Sequence, residues 1–107
     1  MQTGLDYCVY ILFSKRDNML YTGFTSDIVK RMHEHNSGLC ISTSSRLPLK
    51  LIFIEYYYFK EDAIRREKYL KTTAGKKAIR IMLSNTLAKL KLPVYKNTAV
   101  TWIEDSV

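Results

Sequence analysis

Cysteine is scarce in this sequence. Cys8 and Cys40 are the only two cysteines among 107 residues. Two cysteines are too few for the disulfide framework of a small secreted domain, and these two do not form the close pair that is typical of a metal site. We therefore expect a reducing, intracellular environment.

Long apolar runs are also absent. No stretch approaches the ~18 apolar residues that a membrane-spanning helix requires. The segment 1–15 has an apolar run, but it lacks the basic start and the small-residue cleavage site of a secretory signal. The sequence has no internal repeat and no linker between domains. We interpret it as one soluble, cytoplasmic domain over residues 1–107, with its core at about 7–83 and a helix end and tail at 84–107.

Basic residues are concentrated in one part of the chain. The formal net charge is +7, and residues 60–91 hold ten Lys and Arg against three Asp and Glu, whereas the rest of the chain holds seven of each. A concentrated basic surface favours a polyanionic partner, because each neutralised phosphate releases condensed counterions. A solvated helix face produces the same pattern, so charge alone leaves both interpretations open.

The first third of the chain predicts a hairpin followed by a short helix. Residues 7–14 and 19–25 are rich in β-branched and aromatic side chains and flank the turn-forming sequence KRDN. Asp27 and the two residues before it are candidate N-caps, and Gly38 is a candidate C-terminal stop, so we predict a helix at 27–37.

The remainder predicts one more strand and two helices. Residues 49–59 are apolar on both faces, which favours a strand in the middle of the sheet. Helical periodicity follows at 60–70 and 76–91, and residues 93–107 are compatible with a short strand or an ordered tail. The apolar stripe of the second helix consists of Ile79, Leu83, Leu87 and Leu90. The order ββαβαα predicts an α+β fold with a mostly antiparallel three-stranded sheet flanked by helices.

Glu67 interrupts an apolar helix face. At 100° per residue it falls with Ala63, Leu70 and Ala74 in a ~60° sector, so we expect its carboxylate in the inward stripe. An unpaired charge at such a position costs several kcal/mol or more, roughly, and needs a cation. The cation could be a metal ion, Arg31 or a neighbouring lysine.

Arg31 and His35 lie one turn apart on the helix predicted at 27–37 and can act on one target. A guanidinium suits a phosphate that carries extra charge, and a histidine can donate to an oxygen or relay a proton. Such a pair is often only part of a solvated surface. His33 lies ~200° from His35 around the helix, so we exclude a joint metal site, and the spacing to the cysteines is not that of a zinc site.

Two tyrosines lie in the predicted hairpin. If Phe13 pairs with Asn18, Tyr10 lies opposite Tyr21 on one face of the sheet, whereas a slip of one residue separates the hydroxyls. Gly23 shares the face of Tyr21 and leaves room for a backbone or a ligand to come close. In a chain with eight tyrosines, chance also places some in strands.

Together these segments resemble the GIY-YIG nuclease superfamily. The two half-motifs of the name correspond to CVYIL at 8–12 and YTGFT at 21–25, the first helix to 27–38, and the metal-binding helix to AIRREKYLK at 63–71. The segment 42–55 resembles the short bacterial single-domain branch, which is similar to the N-terminal catalytic domain of an excinuclease subunit. Cys8, Val9 and Thr22 depart from the usual motif residues, although both name-giving tyrosines are present.

The resemblance implies a metal-dependent endonuclease that hydrolyses phosphodiester bonds in DNA, selects structure rather than sequence and acts in DNA repair. It implies that Tyr10 is the candidate general base and that Tyr21 orients the water or the phosphate. Arg31 would stabilise the transition state, with help from a hydrogen bond of His35. Glu67 would be the sole protein ligand of one Mg²⁺ or Mn²⁺ ion.

The resemblance also implies a set of sequence-independent contacts with the nucleic acid. Their residues are Gly23, Lys30, Arg46, Lys68, Lys71, Lys76 and Lys77. Two alternatives stay open beside the enzyme: a non-catalytic nucleic-acid-binding module on a nuclease scaffold, and a protein-interaction domain built on the tyrosine-rich segment 55–59. DNA is the expected substrate, but RNA, the oligomeric state and the identity of the general base are open.

Overall fold

The computed structural model describes residues 3–91 and 101–102 of the chain. Over these residues the fold is α+β, as the sequence predicts. The elements follow in the order β1 (Tyr7–Ser14), β2 (Met19–Thr25), α1 (Ile28–Asn36), a 3-10 turn (Ser44–Arg46), β3 (Leu49–Tyr57), α2 (Lys60–Leu70), α3 (Thr73–Met82), α4 (Ser84–Lys91) and β4 (Thr101–Trp102).

Three antiparallel strands make up the main sheet, as predicted. The strand order is β3-β1-β2-β4, and β1 runs antiparallel to both β2 and β3. The two-residue strand β4 adds to the far edge, parallel to β2. Of the C-terminal segment, for which we weighed a strand or a tail, Thr101–Trp102 is a strand, and residues 92–100 and 103–107 lie outside the described residues.

The prediction that residues 49–59 form the middle of the sheet is wrong. The central strand is β1, in which every residue from Cys8 to Ser14 is buried. Strand β3 lies at an edge, and its residues are half-buried or exposed. Both strands are apolar runs of similar length, and an apolar run indicates burial without indicating which strands pair on its two sides.

The apolar core lies on one side of the sheet. Val9, Ile11 and Phe13 alternate along β1 and pack against buried residues of the C-terminal helices. Those helix residues are Ala63 and Leu70 of α2, Ile79 of α3 and Leu87 of α4. The predicted stripe of 76–91 is confirmed, since Leu83 and Leu90 also pack on this cluster, but the stripe spans two helices that meet at Leu83 rather than one.

Helix α1 covers the other side of β1, and its ends match the prediction. The side chain of Asp27 accepts a hydrogen bond from the backbone N–H of Lys30 at 3.1 Å, which is the N-cap contact. After Ser37 the chain leaves the helix at Gly38, whose φ of 76° is in the left-handed region that glycine adopts without strain. The short helix is therefore fixed at both ends.

None of the described helices is long and apolar enough to cross a bilayer. The cytoplasmic location inferred above stays a prediction.

Candidate active site

Tyr10 and His35 form a buried pair between the sheet and α1. The Tyr10 hydroxyl lies 2.9 Å from Nε2 of His35, and the two side chains are 0% and 1% exposed. His35 is the buried residue of α1, so the interpretation of this position as solvated surface is wrong. A histidine is accommodated there because β1 presents a hydroxyl to it, and a buried polar group needs such a partner.

The hairpin register differs from our hypothesis by two residues. Tyr10 pairs with Gly23, and Tyr21 pairs with Leu12. A slip of two residues keeps both phenols on one face, because the side-chain period of a strand is two. The rings of Tyr10 and Tyr21 have centroids 6.4 Å apart, and the Tyr21 ring also packs edge-on to His35, with centroids 5.3 Å apart.

Arg31 joins the cluster from the preceding turn of α1. Its Nε donates to the Tyr10 hydroxyl at 3.3 Å, and its Nη1 donates to Oε1 of Glu34 at 3.3 Å. The guanidinium is thus held by two neighbours, one neutral and one charged. The structure brings Tyr10, Tyr21, Arg31 and His35 together, as the resemblance implies.

Thr43 completes the cluster, and the sequence did not single it out. Its hydroxyl lies 2.8 Å from Nδ1 of His35, on the side of the ring opposite Tyr10, and Thr43 is fully buried. Thr43 lies in the loop between α1 and the 3-10 turn, among several serines and threonines without periodicity. Nothing in that pattern distinguishes the one buried hydroxyl from its exposed neighbours.

Burial determines the protonation of the cluster. Burial, with a smaller contribution from the nearby charge of Arg31, lowers the pKa of His35 to about 4, so the ring is neutral near pH 7. Burial also raises the pKa of Tyr10 well above its ordinary value, against the opposing effect of the hydrogen bond from Arg31. A neutral imidazole has one donor and one acceptor nitrogen, so the two hydroxyls that flank it must play opposite roles.

A cavity of about 450 Å³ opens beside this cluster. Its walls include Tyr21, which is half-buried, and Arg31 with Glu34. The rest of the lining comes from the loop after α1, namely Leu39, Cys40, Ile41 and Ser42. The volume is in the range of roughly 300–1,000 Å³ that ligand pockets occupy. Tyr10 and His35 support the wall of this cavity from behind.

Glu67 lies on α2 and is less buried than predicted. Its side chain is 20% exposed and pairs with Lys71 at 3.3 Å, which is a neighbouring lysine of the kind that the sequence left open beside a metal ion. Ala63 and Leu70 are fully buried as expected, but Ala74 is exposed, because α2 ends at Leu70 and Ala74 belongs to α3.

Glu67, the metal ligand implied by the resemblance, is not a member of the hydrogen-bonded cluster. Among the described residues, Glu67 makes no hydrogen bond with Tyr10, Tyr21, Arg31 or His35, and it does not line the cavity. The described residues also contain no group of three or more His, Cys, Asp or Glu side chains that could hold a metal ion together.

The basic residues assigned to nucleic-acid contact lie on several elements. Lys30 is exposed on α1, Lys68 on α2 and Lys77 on α3. Arg46 ends the 3-10 turn, where its Nε lies 3.5 Å from Asp17. Half-buried Lys71 and Lys76 lie near the junction of α2 and α3.

One known protein family matches most of the chain. The family model for the GIY-YIG catalytic domain matches residues 6–80, which include both tyrosines, Arg31, His35 and Glu67. No solved structure matches the chain significantly.

Curated relatives are short proteins of similar length. A UPF0213 protein of Clostridium perfringens is 36% identical over 80 residues, which are 74% of this chain and 85% of the relative. One of Bacillus licheniformis is 38% identical over 77 residues, 71% of this chain and 77% of the relative. One of Natronomonas pharaonis is 34% identical over 82 residues, which are 76% of this chain and 95% of the relative. These names state no activity. The family match and the relatives show that the chain belongs to the GIY-YIG family and has its nuclease-type scaffold.

Proposed function

We propose that this protein is an endonuclease that hydrolyses phosphodiester bonds in DNA with the help of one Mg²⁺ or Mn²⁺ ion. The observation that carries the proposal is the position of Arg31 and Tyr21 in the wall of one cavity, supported from behind by the buried hydrogen bonds of Tyr10, His35 and Thr43. A surface that only bound nucleic acid would gain little from such a buried polar network, which is costly unless every member has a partner.

Arg31 is the group that binds the scissile phosphate in this proposal. Its hydrogen bonds to Tyr10 and Glu34 leave further N–H donors on the guanidinium. A guanidinium that is already oriented stabilises the charge that develops on a phosphoryl group without reorganising during the reaction. The ion pair with Glu34 is 38% and 32% exposed, so a phosphate can compete for the same donors.

Tyr21 is the phenol that contacts water in this proposal. It lines the cavity, whereas Tyr10 has no exposed surface and both of its described partners are protein groups. The resemblance implied that Tyr10 takes a proton from water, which requires contact with water. The burial of Tyr10 and the raised pKa of its phenol support a different role, namely that it stays neutral and orients Arg31 and His35.

The proposed reaction replaces one phosphorus–oxygen bond by another. The oxygen of a water oriented by Tyr21 bonds to phosphorus as the bond to the 3′ oxygen breaks, and the two protons of the water end on the products or in solvent. The products are a 5′ phosphate and a 3′ hydroxyl. Arg31 compensates the additional negative charge on the phosphate during this exchange.

Nucleases of this family generally depend on a divalent metal ion. The chemistry of Glu67 fits such an ion, because a carboxylate oxygen is a ligand that Mg²⁺ prefers, and Mg²⁺ keeps several waters and takes further ligands from phosphate. The pair with Lys71 is an i,i+4 pair worth about 0.3–0.5 kcal/mol, which a metal ion can displace. A bound ion would supply charge stabilisation at the leaving oxygen.

The exposed basic side chains support a DNA partner without specifying its sequence. Lys30, Lys68 and Lys77 can neutralise phosphates of the DNA backbone. A non-catalytic binding module on the same scaffold is the alternative. The interaction-domain alternative depends on the segment 55–59, in which Tyr56, Tyr58 and Phe59 are about half exposed and could contact a protein partner.

Cleavage assays with matched carboxylate variants test the proposal. Paired, branched, mismatched and single-stranded DNA, and RNA, are incubated with Mg²⁺ or Mn²⁺ and with wild type, Glu67→Gln or Glu34→Gln. We expect Glu67→Gln to lower the cleavage rate at least about 100-fold and to lose the response to metal concentration. Glu34→Gln keeps that response, because Glu34 pairs with Arg31.

Each other outcome has a definite meaning. An unchanged rate in Glu67→Gln rejects Glu67 as the metal ligand. Salt-sensitive binding without cleavage by the wild type with either metal supports the binding-module alternative instead. Absence of nucleic-acid binding even at low salt supports the protein-interaction alternative.

A further inference from the structure

Two apolar side chains at the mouth of the cavity are exposed to solvent. Leu39 is 73% exposed and Ile41 is 90% exposed, and within residues 3–90 no other large apolar side chain is as exposed as Ile41. Both line the same cavity as Tyr21 and Arg31. We call Leu39 and Ile41 the apolar rim. Single exposed apolar residues are common on proteins, but two beside a candidate active site indicate a binding surface.

The backbone that carries the apolar rim is held at both ends. On one side the N–H of Leu39 donates to the carbonyl of Glu34 at 3.0 Å, which continues the end of α1. On the other side the N–H of Thr43 donates to the carbonyl of Cys40 at 3.1 Å, and the Ser44 hydroxyl donates to the carbonyl of Ile41 at 3.2 Å. The rim is thus fixed relative to the cavity, because Thr43 is also bound to His35.

An apolar side chain beside a phosphate-binding arginine can contact only certain parts of a nucleic acid. Phosphates are polar, the thymine methyl group offers only a small apolar contact in the major groove, and the faces of bases in a regular duplex are covered by their neighbours. Apolar side chains such as Leu and Ile instead contact base faces where a base step is opened, and opening a step costs a few kcal/mol, roughly. That cost is smallest where the bases are already unpaired, mismatched or damaged.

We propose that the apolar rim packs against unstacked bases next to the scissile phosphate, so that this protein selects DNA with unpaired or distorted base pairs at the cut. The inference rests on the proposed function for the identity of the ligand. The charge of the neighbourhood agrees with this occupant, because Arg31 presents a cation in the wall of the cavity and the next residue towards the start of α1, Lys30, is an exposed cation.

Binding to a fluorescent DNA tests the apolar rim separately from cleavage. A short duplex with a two-nucleotide bulge, flanked by 2-aminopurine, is compared with the fully paired duplex of the same sequence, in EDTA so that no hydrolysis occurs. We expect the wild type to bind the bulged DNA at least about tenfold more tightly and to increase the 2-aminopurine fluorescence, which reports unstacking.

The double variant Leu39→Ser/Ile41→Ser removes the rim. We expect it to lose the preference, with Kd values for the two duplexes within about twofold, and to lose the fluorescence increase while binding to the paired duplex is unchanged. The control is Val29→Ser/Ile81→Ser, because both residues are 67% exposed and lie outside the cavity lining. The control keeps the preference, and circular dichroism verifies that both variants are folded.

Four results overturn the inference: equal binding of the two duplexes by the wild type, a preference that survives in the rim variant, an equal loss of affinity for both duplexes in the rim variant, or no binding of either duplex at low salt. Addition of Mg²⁺ then tests the proposed function independently. A rim-dependent preference without cleavage rejects the endonuclease proposal and keeps the inference about the rim. Cleavage of paired and bulged DNA at equal rates keeps the endonuclease proposal and rejects the inference. If neither duplex binds at low salt, the rim is not a nucleic-acid surface and a protein partner replaces DNA as its occupant.

Discussion

Gly23 lies opposite Tyr10 in the β1–β2 pair, and the Tyr10 ring occupies the space that a side chain at position 23 would fill. A β-carbon built on Gly23 would overlap the Cζ and the hydroxyl of Tyr10, so the absence of a side chain at position 23 lets the phenol occupy this space and reach His35. The tyrosine of the first half-motif therefore needs the glycine of the second, because a side chain at position 23 would occupy the space of the Tyr10 ring.

The first prediction concerns this contact. Gly23→Ala is expected to displace the Tyr10 ring and to lower the free energy of unfolding by about 1–3 kcal/mol, measured by urea denaturation, because an added methyl group in a packed site forces a shift. In a Tyr10→Leu background the same substitution is expected to cost less. Equal costs in both backgrounds would show that Gly23 acts independently of Tyr10.

The second prediction concerns Thr43. Thr43→Val keeps the shape but removes the hydroxyl that is bound to Nδ1 of His35, so we expect a loss of about 1–2 kcal/mol in the free energy of unfolding. The ¹⁵N chemical shifts of the His35 ring are expected to show a mixture of tautomers, and Thr43→Ser restores the wild-type spectrum. A wild-type His35 spectrum in Thr43→Val would mean that Thr43 does not fix the tautomer.

The third prediction is a loss of stability in acid. Because the pKa of His35 is about 4 in the folded protein and near 6.5 when unfolded, the unfolded state binds the proton more readily between these values. The contribution of His35 is therefore fully present above pH 6.5 and is lost as the pH falls towards 4, by on the order of 3 kcal/mol.

Urea denaturation across this pH range measures the effect. His35→Gln is expected to remove most of the slope, whereas the exposed His33→Gln keeps it and serves as the control. The assignment to His35 fails if both variants retain the same pH dependence as the wild type.

The fourth prediction separates the shape of Arg31 from its charge. Arg31→Lys keeps a positive charge but loses the fork that reaches both Tyr10 and Glu34, so we expect DNA cleavage to fall about 100-fold. Arg65→Lys is the matched control, since Arg65 also pairs with an acid three residues away, Asp62, but is exposed on α2. Full activity in Arg31→Lys would show that only charge is needed there.

Local sequence determined the elements. The turn sequence at 15–18, the N-cap Asp27 and the stop at Gly38 act within a few residues of themselves, and the structure begins and ends β1, β2 and α1 within a residue of the predicted bounds. The apolar stripe that includes Ile79 and Leu87 likewise identified the face of the C-terminal helices that packs on the sheet. These features depend on capping and periodicity, and both are determined by residues that are close together in the sequence.

The motif pattern also indicated four members of the cluster, but not their environments. The sequence did not show that Tyr10 and His35 are buried, because burial depends on which elements cover them. Thr43 is eight residues from His35 along the chain, and only the path of the loop brings its hydroxyl to the ring.

Only the tertiary structure decided the central strand, the hairpin register and the surroundings of Glu67. β1 is central because β3, which is distant in sequence, pairs with it on the side opposite its hairpin partner β2, and the residues of an apolar run do not show which strands will pair with it. Periodicity placed Glu67 on the inward face, yet the helix ends at Leu70 and leaves the carboxylate half-buried beside Lys71. The sequence specifies interactions between near neighbours directly, whereas burial and the protonation of His35 arise from contacts across the fold.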